Sequence, residues 1–338
     1  MKILVTGANG FVGSSLCRKL AAEGHQVRGM VRATSDLTLL QGVNVELVLG
    51  SLSNRGDLQK ATINQDLVFH VAAAVTDWGS LEYFRKINVE GTRNAIEAAI
   101  INQVPRFLYV SSVAVASFSN QTNMDEDAPQ LPTPYPYCQT KREAEELVNE
   151  FHLSGKIQTV IVRPGDIYGP NDRVALLRMG EMLRKRQLPN VAGGNKIGAF
   201  TYIDNLVKGM ILASTNDKAY GRTYILTDGV EMSWRTYFEK LTDALGFPHP
   251  SLSINPKIGY AAAFILENTY RLLKIQRRPP FSRYLINHLS TDFHFCIERA
   301  RVELGYQPIN DMDLTIRRTA DWYRGYMATQ VNKQQFGF

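Results

Sequence analysis

Tyr137 and Lys141, four residues apart, are the side chains whose types and spacing most directly offer chemistry. Within a helix, residues i and i+4 share a face, so a phenol and an ammonium at this spacing can meet over one bound molecule. A free tyrosine has a pKa of about 10 and makes a poor base at neutral pH. A neighbouring ammonium favours the phenolate and brings the group toward useful acid–base range. The pair alone is weak, because a tyrosine four before a lysine arises by chance in many helices. A second feature adds weight. Gly7-Ala8-Asn9-Gly10-Phe11-Val12-Gly13 follows an apolar run and opens a helical pattern. Small residues there let the chain turn sharply and bring backbone N–H groups to a pyrophosphate at the positive end of a helix. Gly13 would allow close helix–strand packing. The glycine spacing departs from G-x-G-x-x-G, yet strand, turn and helix in this order favour a dinucleotide cofactor over a purely structural turn.

The elements that must position these groups are legible in the first half. Short β-branched runs at residues 3–5, 26–31, 45–49, 67–71, 106–111 and 159–162 alternate with helical patterns, notably 12–23, 81–102 and 137–153. Strands separated by helices imply parallel β-α-β units with helices on both faces, and near-continuous apolar strands suit a sheet buried on both sides. The expected class is α/β: a Rossmann-type doubly wound parallel sheet with a smaller α/β substrate-binding region from the C-terminal half. After Pro164 the regularity weakens, with helical patterns at 176–186, 205–214 and 234–245 and a strand at 223–226. Residues 1–165 read as the nucleotide-binding domain and 166–338 as mainly substrate-binding, with about 200–226 returning to the first domain.

The end of the second strand should read the adenosine ribose. A carboxylate there accepts bonds from ribose hydroxyls, whereas a cation suits a 2′-phosphate. The sequence reaches Arg32 with no carboxylate before Asp36. A planar guanidinium matches a phosphate, so NADP(H) is preferred and NAD(H) is the alternative.

The chain has 338 residues, a hydrophobic fraction of 44%, a charged fraction of 21% and a formal charge of +6, values of an ordinary globular protein. No basic stripe interleaved with aromatics is present, which argues against nucleic acid. Cys17, Cys138 and Cys296 lack metal-like spacing and read as reduced thiols in a cytoplasmic protein, with no metal expected. Met1 runs straight into a strand, leaving no room for a signal peptide. Residues 258–275 are apolar but interrupted by Glu267, Asn268 and Arg271, too short and polar to span a bilayer. Because Arg277, Arg278 and Arg283 follow, peripheral membrane contact through 258–283 is one reading. The preferred one is an amphipathic helix walling an apolar pocket.

Several further blocks stand in order: His70-Val71-Ala72-Ala73, Asn88-Val89-Glu90-Gly91-Thr92-Arg93-Asn94, Ser111-Ser112, Arg163-Pro164-Gly165-Asp166-Ile167-Tyr168-Gly169-Pro170, Phe200-Thr201-Tyr202-Ile203-Asp204-Asn205 and Leu304-Gly305-Tyr306-Gln307-Pro308. With the glycine turn and the Tyr137/Lys141 pair, they resemble the extended short-chain dehydrogenase/reductase family over most of the chain. The likeness is greatest to the 3-beta-hydroxysteroid dehydrogenase branch, including sterol-carboxylate dehydrogenases, and extends to dihydroflavonol reductases and bacterial ketoreductases. The resemblance implies that Tyr137 is the acid–base residue, that Lys141 tunes it and holds the nicotinamide ribose, and that Ser112 hydrogen-bonds the substrate oxygen, with Ser111 as the fallback. It also implies cofactor contacts from Thr6, Gly7, Asn9, Gly10, Phe11, Val12, Gly13, Ser51, Leu52, Ala72, Ala73, Ala74 and Pro164. Two departures stand out. Gly50-Ser51-Leu52 replaces the Gly-Asp-Leu of many relatives, and Arg32 replaces the acidic pattern of NAD-using steroid dehydrogenases.

The expected activity is an NAD(P)(H)-dependent interconversion of a secondary alcohol and a ketone on an apolar, steroid-like or other hydrophobic substrate, in a cytoplasmic enzyme resting at most on a membrane surface and expected as a homodimer. The alternative is a nucleotide-sugar epimerase of the same superfamily with tightly bound NAD. Such an enzyme must hold a diphosphate, a task that Arg277-Arg278 is placed to do.

Overall fold

Alternation within the strands sets up the two faces of the sheet. In the first strand, β1 (Lys2–Thr6), Ile3 and Val5 join one apolar cluster while Leu4 joins another. Side chains that alternate across a strand deliver exactly this split when both faces are covered. The computed structural model describes residues 1–118, 122–275 and 277–336. Its central sheet contains β1, β2 (Gln26–Val31), β3 (Glu46–Leu49), β4 (Leu67–His70), β5 (Arg106–Val110), β6 (Gln158–Pro164) and β7 (Thr223–Leu226). They run in the order β7-β6-β5-β4-β1-β2-β3, every pair parallel. The order reverses between β1 and β4, and open sheets of this kind bind ligands outside the carboxyl ends of the strands at that switch.

Helices α1 (Phe11–Ala22) and α5 (Ile203–Thr215) cover the Ile3/Val5 face with Leu16, Leu20, Leu206 and Met210. On the Leu4 face lie α2 (Arg55–Thr62), α3 (Gly91–Ile101) and α4 (Pro136–Leu153), which contribute Leu58, Ile96, Ala144 and Val148. The strand at 223–226 therefore belongs to the main sheet although residues 165–222 intervene between it and β6, its partner in register, with Leu226 facing Pro164 and Thr223 facing Ile161.

The segment expected as one helix over 81–102 is divided. Leu81–Phe84 is α-helical, Arg85–Glu90 forms a π turn, and α3 follows. Single π turns recur at functional sites because they redirect side chains out of the regular ladder.

Beyond β6 the elements are short. Asp166–Tyr168 pairs with Phe200–Tyr202, and Met232–Ser233 pairs with Ile197–Gly198. Helices α6 (Trp234–Leu245), α7 (Pro256–Leu272) and α8 (Arg283–Ser290) complete the part relevant to a site. Asp228 ties several of these pieces together. Its carboxylate accepts from the Tyr202 N–H at 2.8 Å, Asn205 Nδ2 at 2.8 Å and the Tyr168 hydroxyl at 3.1 Å. Burial pushes that carboxyl up to about 6. Tyr168 thus packs in the core. Among the described residues no helix is long and apolar enough to cross a membrane, and no cluster of His, Cys, Asp and Glu could hold a metal ion. The three cysteines are free thiols.

Candidate active site

Ser112, Tyr137 and Lys141 come from two segments that meet at the carboxyl end of β5. Just past Val110, Ser112 caps the turn Val113–Ala116, its Oγ accepting the Ala114 N–H at 3.1 Å. Helix α4 opens with Pro136, tolerated there because the first N–H of a helix has no partner within it. Tyr137 follows, half-buried. Burial pushes its phenol up to about 12, and a hydrogen bond with Ser112 acts in the opposite sense. Ser111 is buried with its hydroxyl unpartnered among the described residues, so Ser112 is the serine joined to Tyr137.

One turn along α4, Lys141 is buried, donates from Nζ to the Val110 carbonyl at 2.7 Å and lies 4.9 Å from the Tyr109 ring centre. Burial lowers its ammonium to about 7, with Glu145 pulling it up. The expectation that a neighbouring ammonium would depress the tyrosine needs correcting for the chain by itself. The phenol is raised because loss of solvation is its largest influence, and Lys141 is fastened to β5. Arg163 holds this helix in place: it donates to Glu145 at 2.9 and 2.6 Å, both side chains being buried.

The π turn aims Asn88 inward. Its Oδ1 accepts the Ala74 N–H at 2.7 Å, and its Nδ2 donates to the Ala74 carbonyl at 3.3 Å and to Thr140 Oγ1 at 3.2 Å. Asn88 therefore links the segment that follows β4 to the helix that carries Tyr137. His70 is a satisfied core histidine, bonded to Thr6 Oγ1 at 3.0 Å and Thr92 Oγ1 at 3.1 Å and lowered to about 3 by burial. The Ala72 N–H also donates to Thr6 Oγ1, at 3.2 Å, so the hydroxyl of Thr6 is engaged inside the protein.

At the glycine turn, Gly7 has φ of +69°, and a Cβ on it would stand 2.9 Å from the Ala72 Cα. A Cβ on Gly13 would stand 2.1 Å from the Gly7 carbonyl oxygen. Neither position has room for a side chain. Gly10 caps α1 without any side-chain hydrogen bond, leaving the first-turn N–H groups near Asn9, Phe11 and Val12 for a ligand. At the end of β2, Arg32, Ala33, Leu49, Gly50, Ser51 and Asp57 line a cleft of about 380 Å³. Arg32 is exposed and its guanidinium has no ion-pair partner among the described residues. The Ser51 N–H donates to Asp57 at 3.2 Å and the Leu52 carbonyl accepts from Asn94 at 2.9 Å. Pro164 ends β6 and is buried. A backbone cradle and an open helix end fit a dinucleotide, and the cleft adds a free cation at the end of β2.

Beside Tyr137 lies a packed aromatic cluster that sequence reasoning did not find. Phe118 meets Tyr135 at 5.6 Å, Tyr284 at 5.0 Å and His288 at 5.3 Å between ring centres. Tyr137, Tyr135, Tyr284 and Phe118 form one apolar cluster. His288 Nε2 is 2.8 Å from Asp166 Oδ1. Asp77 clamps α8 and its approach, bonded to Arg278 and to Ser282. Of these residues only Asp166 lies within one of the ordered blocks; nothing in the spacing of Phe118, Tyr284 and His288 marks them as neighbours. A separate open cavity of about 730 Å³ near Glu126, His152 and Tyr220 contains none of the candidate residues.

This fold and this Ser–Tyr–Lys arrangement define the class, an extended short-chain dehydrogenase/reductase. Residues 3–226 match the NAD dependent epimerase/dehydratase family, and the chain belongs to it. The chain is 32% identical to a 2-alkyl-3-oxoalkanoate reductase of Stenotrophomonas maltophilia (strain K279a), over 94% of this chain and 98% of that protein. It is 30% identical to a 4-hydroxy-2-methyl-3-oxo-4-farnesyl-3,4-dihydroquinoline-1-oxide ketoreductase of Stigmatella aurantiaca, over 90% of this chain and 92% of the other. A UDP-glucuronic acid 4-epimerase from Bacillus cereus, solved with UDP-glucuronic acid and NAD, superposes with a TM-score of 0.78 at 22% identity, covering 96% of this chain and 100% of that one. That last likeness speaks for the fold alone.

Proposed function

We propose that the chain is a ketoreductase that converts a ketone on an apolar molecule to the secondary alcohol, with NADPH as the preferred reductant. The observation that carries this reading is the Ser112–Tyr137 pair, with Tyr137 packed in the aromatic cluster. Two ketoreductase-type relatives matched along nearly their whole length support it.

The glycine turn and the first turn of α1 would hold the pyrophosphate, and Arg32 the 2′-phosphate. When bound, the nicotinamide supplies hydride to the carbonyl carbon. Ser112 Oγ donates to the substrate oxygen and orients it. Tyr137 gives its hydroxyl proton to that oxygen as the alcohol forms. A phenol raised to about 12 remains protonated at neutral pH, which suits the donor role. Lys141, pinned to the Val110 carbonyl, sits one turn away at the edge of its own titration and offers positive charge as the phenolate develops. The cluster of Phe118, Tyr135 and Tyr284 would form an apolar wall against the body of the substrate.

The same machinery serves nucleotide-sugar epimerases. Arg278, one of the two arginines proposed for a sugar diphosphate, is bonded to Asp77, which supports the ketoreductase reading. The test is titration of purified protein with NADPH and NADH, followed by turnover of a 2-alkyl-3-oxoalkanoate. NADPH oxidation coupled to ketone loss is expected. Purification with tightly held NAD and turnover of a UDP-sugar would replace this reading with the epimerase.

A further inference from the structure

Helix α7 wears its apolar residues on the wrong side for a helix that only packs against its own protein. Its buried positions are Gly259, Ala263 and Glu267, two of the smallest side chains and a carboxylate. Outward, Ile258 is 69% exposed, Ile265 is 66% exposed and Leu272 is 83% exposed, with Phe264 and Leu273 also facing out. Residues 258, 265 and 272 recur at heptad spacing and lie along one stripe. A helix of a globular protein normally shows the reverse arrangement. The inward face explains why the small residues are there: a Cβ on Gly259 would touch Ile254 and Ile286 at 3.1 Å. Glu267 is buried because it accepts from the Arg283 backbone and side chain, each at 2.8 Å.

The polar residues between the exposed apolar ones do not spoil the stripe. Asn268 donates to the Phe264 carbonyl and Thr269 to the Ile265 carbonyl, both at 2.9 Å. Their donors are satisfied along the helix itself. Charge on this face has one sign. Lys257, Lys274 and Arg277 are exposed, Arg271 turns back to Glu267 at 3.9 Å and over the Trp78 ring at 5.5 Å, and the acid within the helix, Glu267, is buried and paired.

We propose that α7 seats the protein on an anionic lipid bilayer, its Ile258/Ile265/Leu272 stripe entering the headgroup boundary and its cations meeting lipid phosphates. An exposed apolar stripe beside like-signed cations is what an interfacial helix requires. A second copy of the chain is a poorer occupant. A two-fold contact brings each patch against itself, so Lys257, Lys274 and Arg277 would meet cations of the same kind. The position over the site adds a consequence. Tyr270 meets Trp78 at 6.2 Å, Arg283 covers Phe264 at 5.1 Å, and the Tyr135 hydroxyl donates to the Arg283 carbonyl at 3.4 Å. The seated helix therefore lies beside the aromatic cluster next to Tyr137, where an apolar molecule held in lipid would arrive. The bilayer contact itself stands whatever that molecule is.

Flotation of the full chain with vesicles of phosphatidylcholine alone, and with vesicles containing equal parts phosphatidylglycerol, tests this. Binding to the phosphatidylglycerol vesicles that weakens with added salt is expected, with far less on the neutral ones. Ile265→Asp combined with Leu272→Asp should reduce the bound fraction at least about tenfold. Lys274→Glu combined with Arg277→Glu should reduce it about as much on anionic vesicles and leave neutral-vesicle binding unchanged. All four side chains are exposed, so circular dichroism should match the parent. Failure of the parent chain to bind anionic vesicles overturns the proposal. So does equal binding by parent and variants, or a dimer that the apolar variants dissociate while vesicle binding stays absent. NADPH binding is read separately and reports on the reductase assignment alone.

Discussion

At the glycine turn, the groups presented to a ligand are backbone N–H groups, gathered by close contacts among Gly7, Gly13 and Ala72. In the aromatic cluster they are side chains from Phe118, Tyr135, Tyr284 and His288, which belong to segments far apart in the chain. The first region has no tolerance for added atoms, since a Cβ at Gly13 would overlap a carbonyl oxygen. The second is a set of rings meeting edge to face, and such cores accept replacements of similar volume. On the proposed function, the cofactor end would be fixed by backbone geometry and the substrate end by side-chain choice, with Tyr137 on the boundary. A family that retains one reaction while changing its substrates would be expected to vary the second and keep the first.

The largest effect should come at that boundary. Tyr137→Phe keeps the ring and removes the transferable proton, so turnover should fall roughly a hundred- to ten-thousandfold. NADPH affinity, read by fluorescence titration, should change little. Normal turnover would take Tyr137 out of the mechanism.

Gly13→Val tests the rigid end. The overlap with the Gly7 carbonyl should abolish measurable NADPH binding and lower stability by about 2 kcal/mol or more. A variant that binds NADPH as the parent does would show that the turn can open. At the adaptable end, Phe118→Leu should mainly raise the KM for the ketone, leaving cofactor affinity alone. A matching loss of NADPH affinity would mean that the two regions are not separable.

Arg32→Ser should cost NADPH about ten- to a hundredfold in affinity, the worth of a charge-assisted bond, with NADH hardly affected. An unchanged preference would leave Arg32 as a solvated loop charge.

The smallest effect is one of pH. Lys141 is lowered from 10.5 to about 7 in the folded chain. Above that value the folded state binds fewer protons than the unfolded one, so stability should rise with pH. Between about pH 7.5 and 8.5 the slope should reach at most about 1.4 kcal/mol per pH unit. Lys141→Met should flatten it in urea titrations. An identical slope in the variant would refute the burial argument for this lysine.

Much of the cofactor half was legible beforehand, for a physical reason. Parallel strands buried on both faces must be nearly continuous apolar runs, and the helices between them carry a different period, so β1 to β6 show in the sequence to within a residue or two. The glycine turn is equally local. The π turn at Arg85–Glu90 was hidden because its composition is that of an ordinary helix. Arg163 shows the limit of local reading: its neighbourhood suggested the cofactor pocket, whereas it braces α4 through Glu145.

The sequence by itself determined the chemistry on offer: a phenol and an ammonium one helical turn apart, a serine after the fifth strand, and a glycine-rich turn between the first strand and the first helix. Those features depend on contacts among near neighbours or on a fixed helical period. Only the tertiary structure decided that burial would raise the phenol and lower the ammonium, that Asn88 would tie residue 74 to α4, and that α7 would turn its larger apolar residues outward. Solvation and facing depend on what packs alongside, and those neighbours come from parts of the chain that no local pattern brings together.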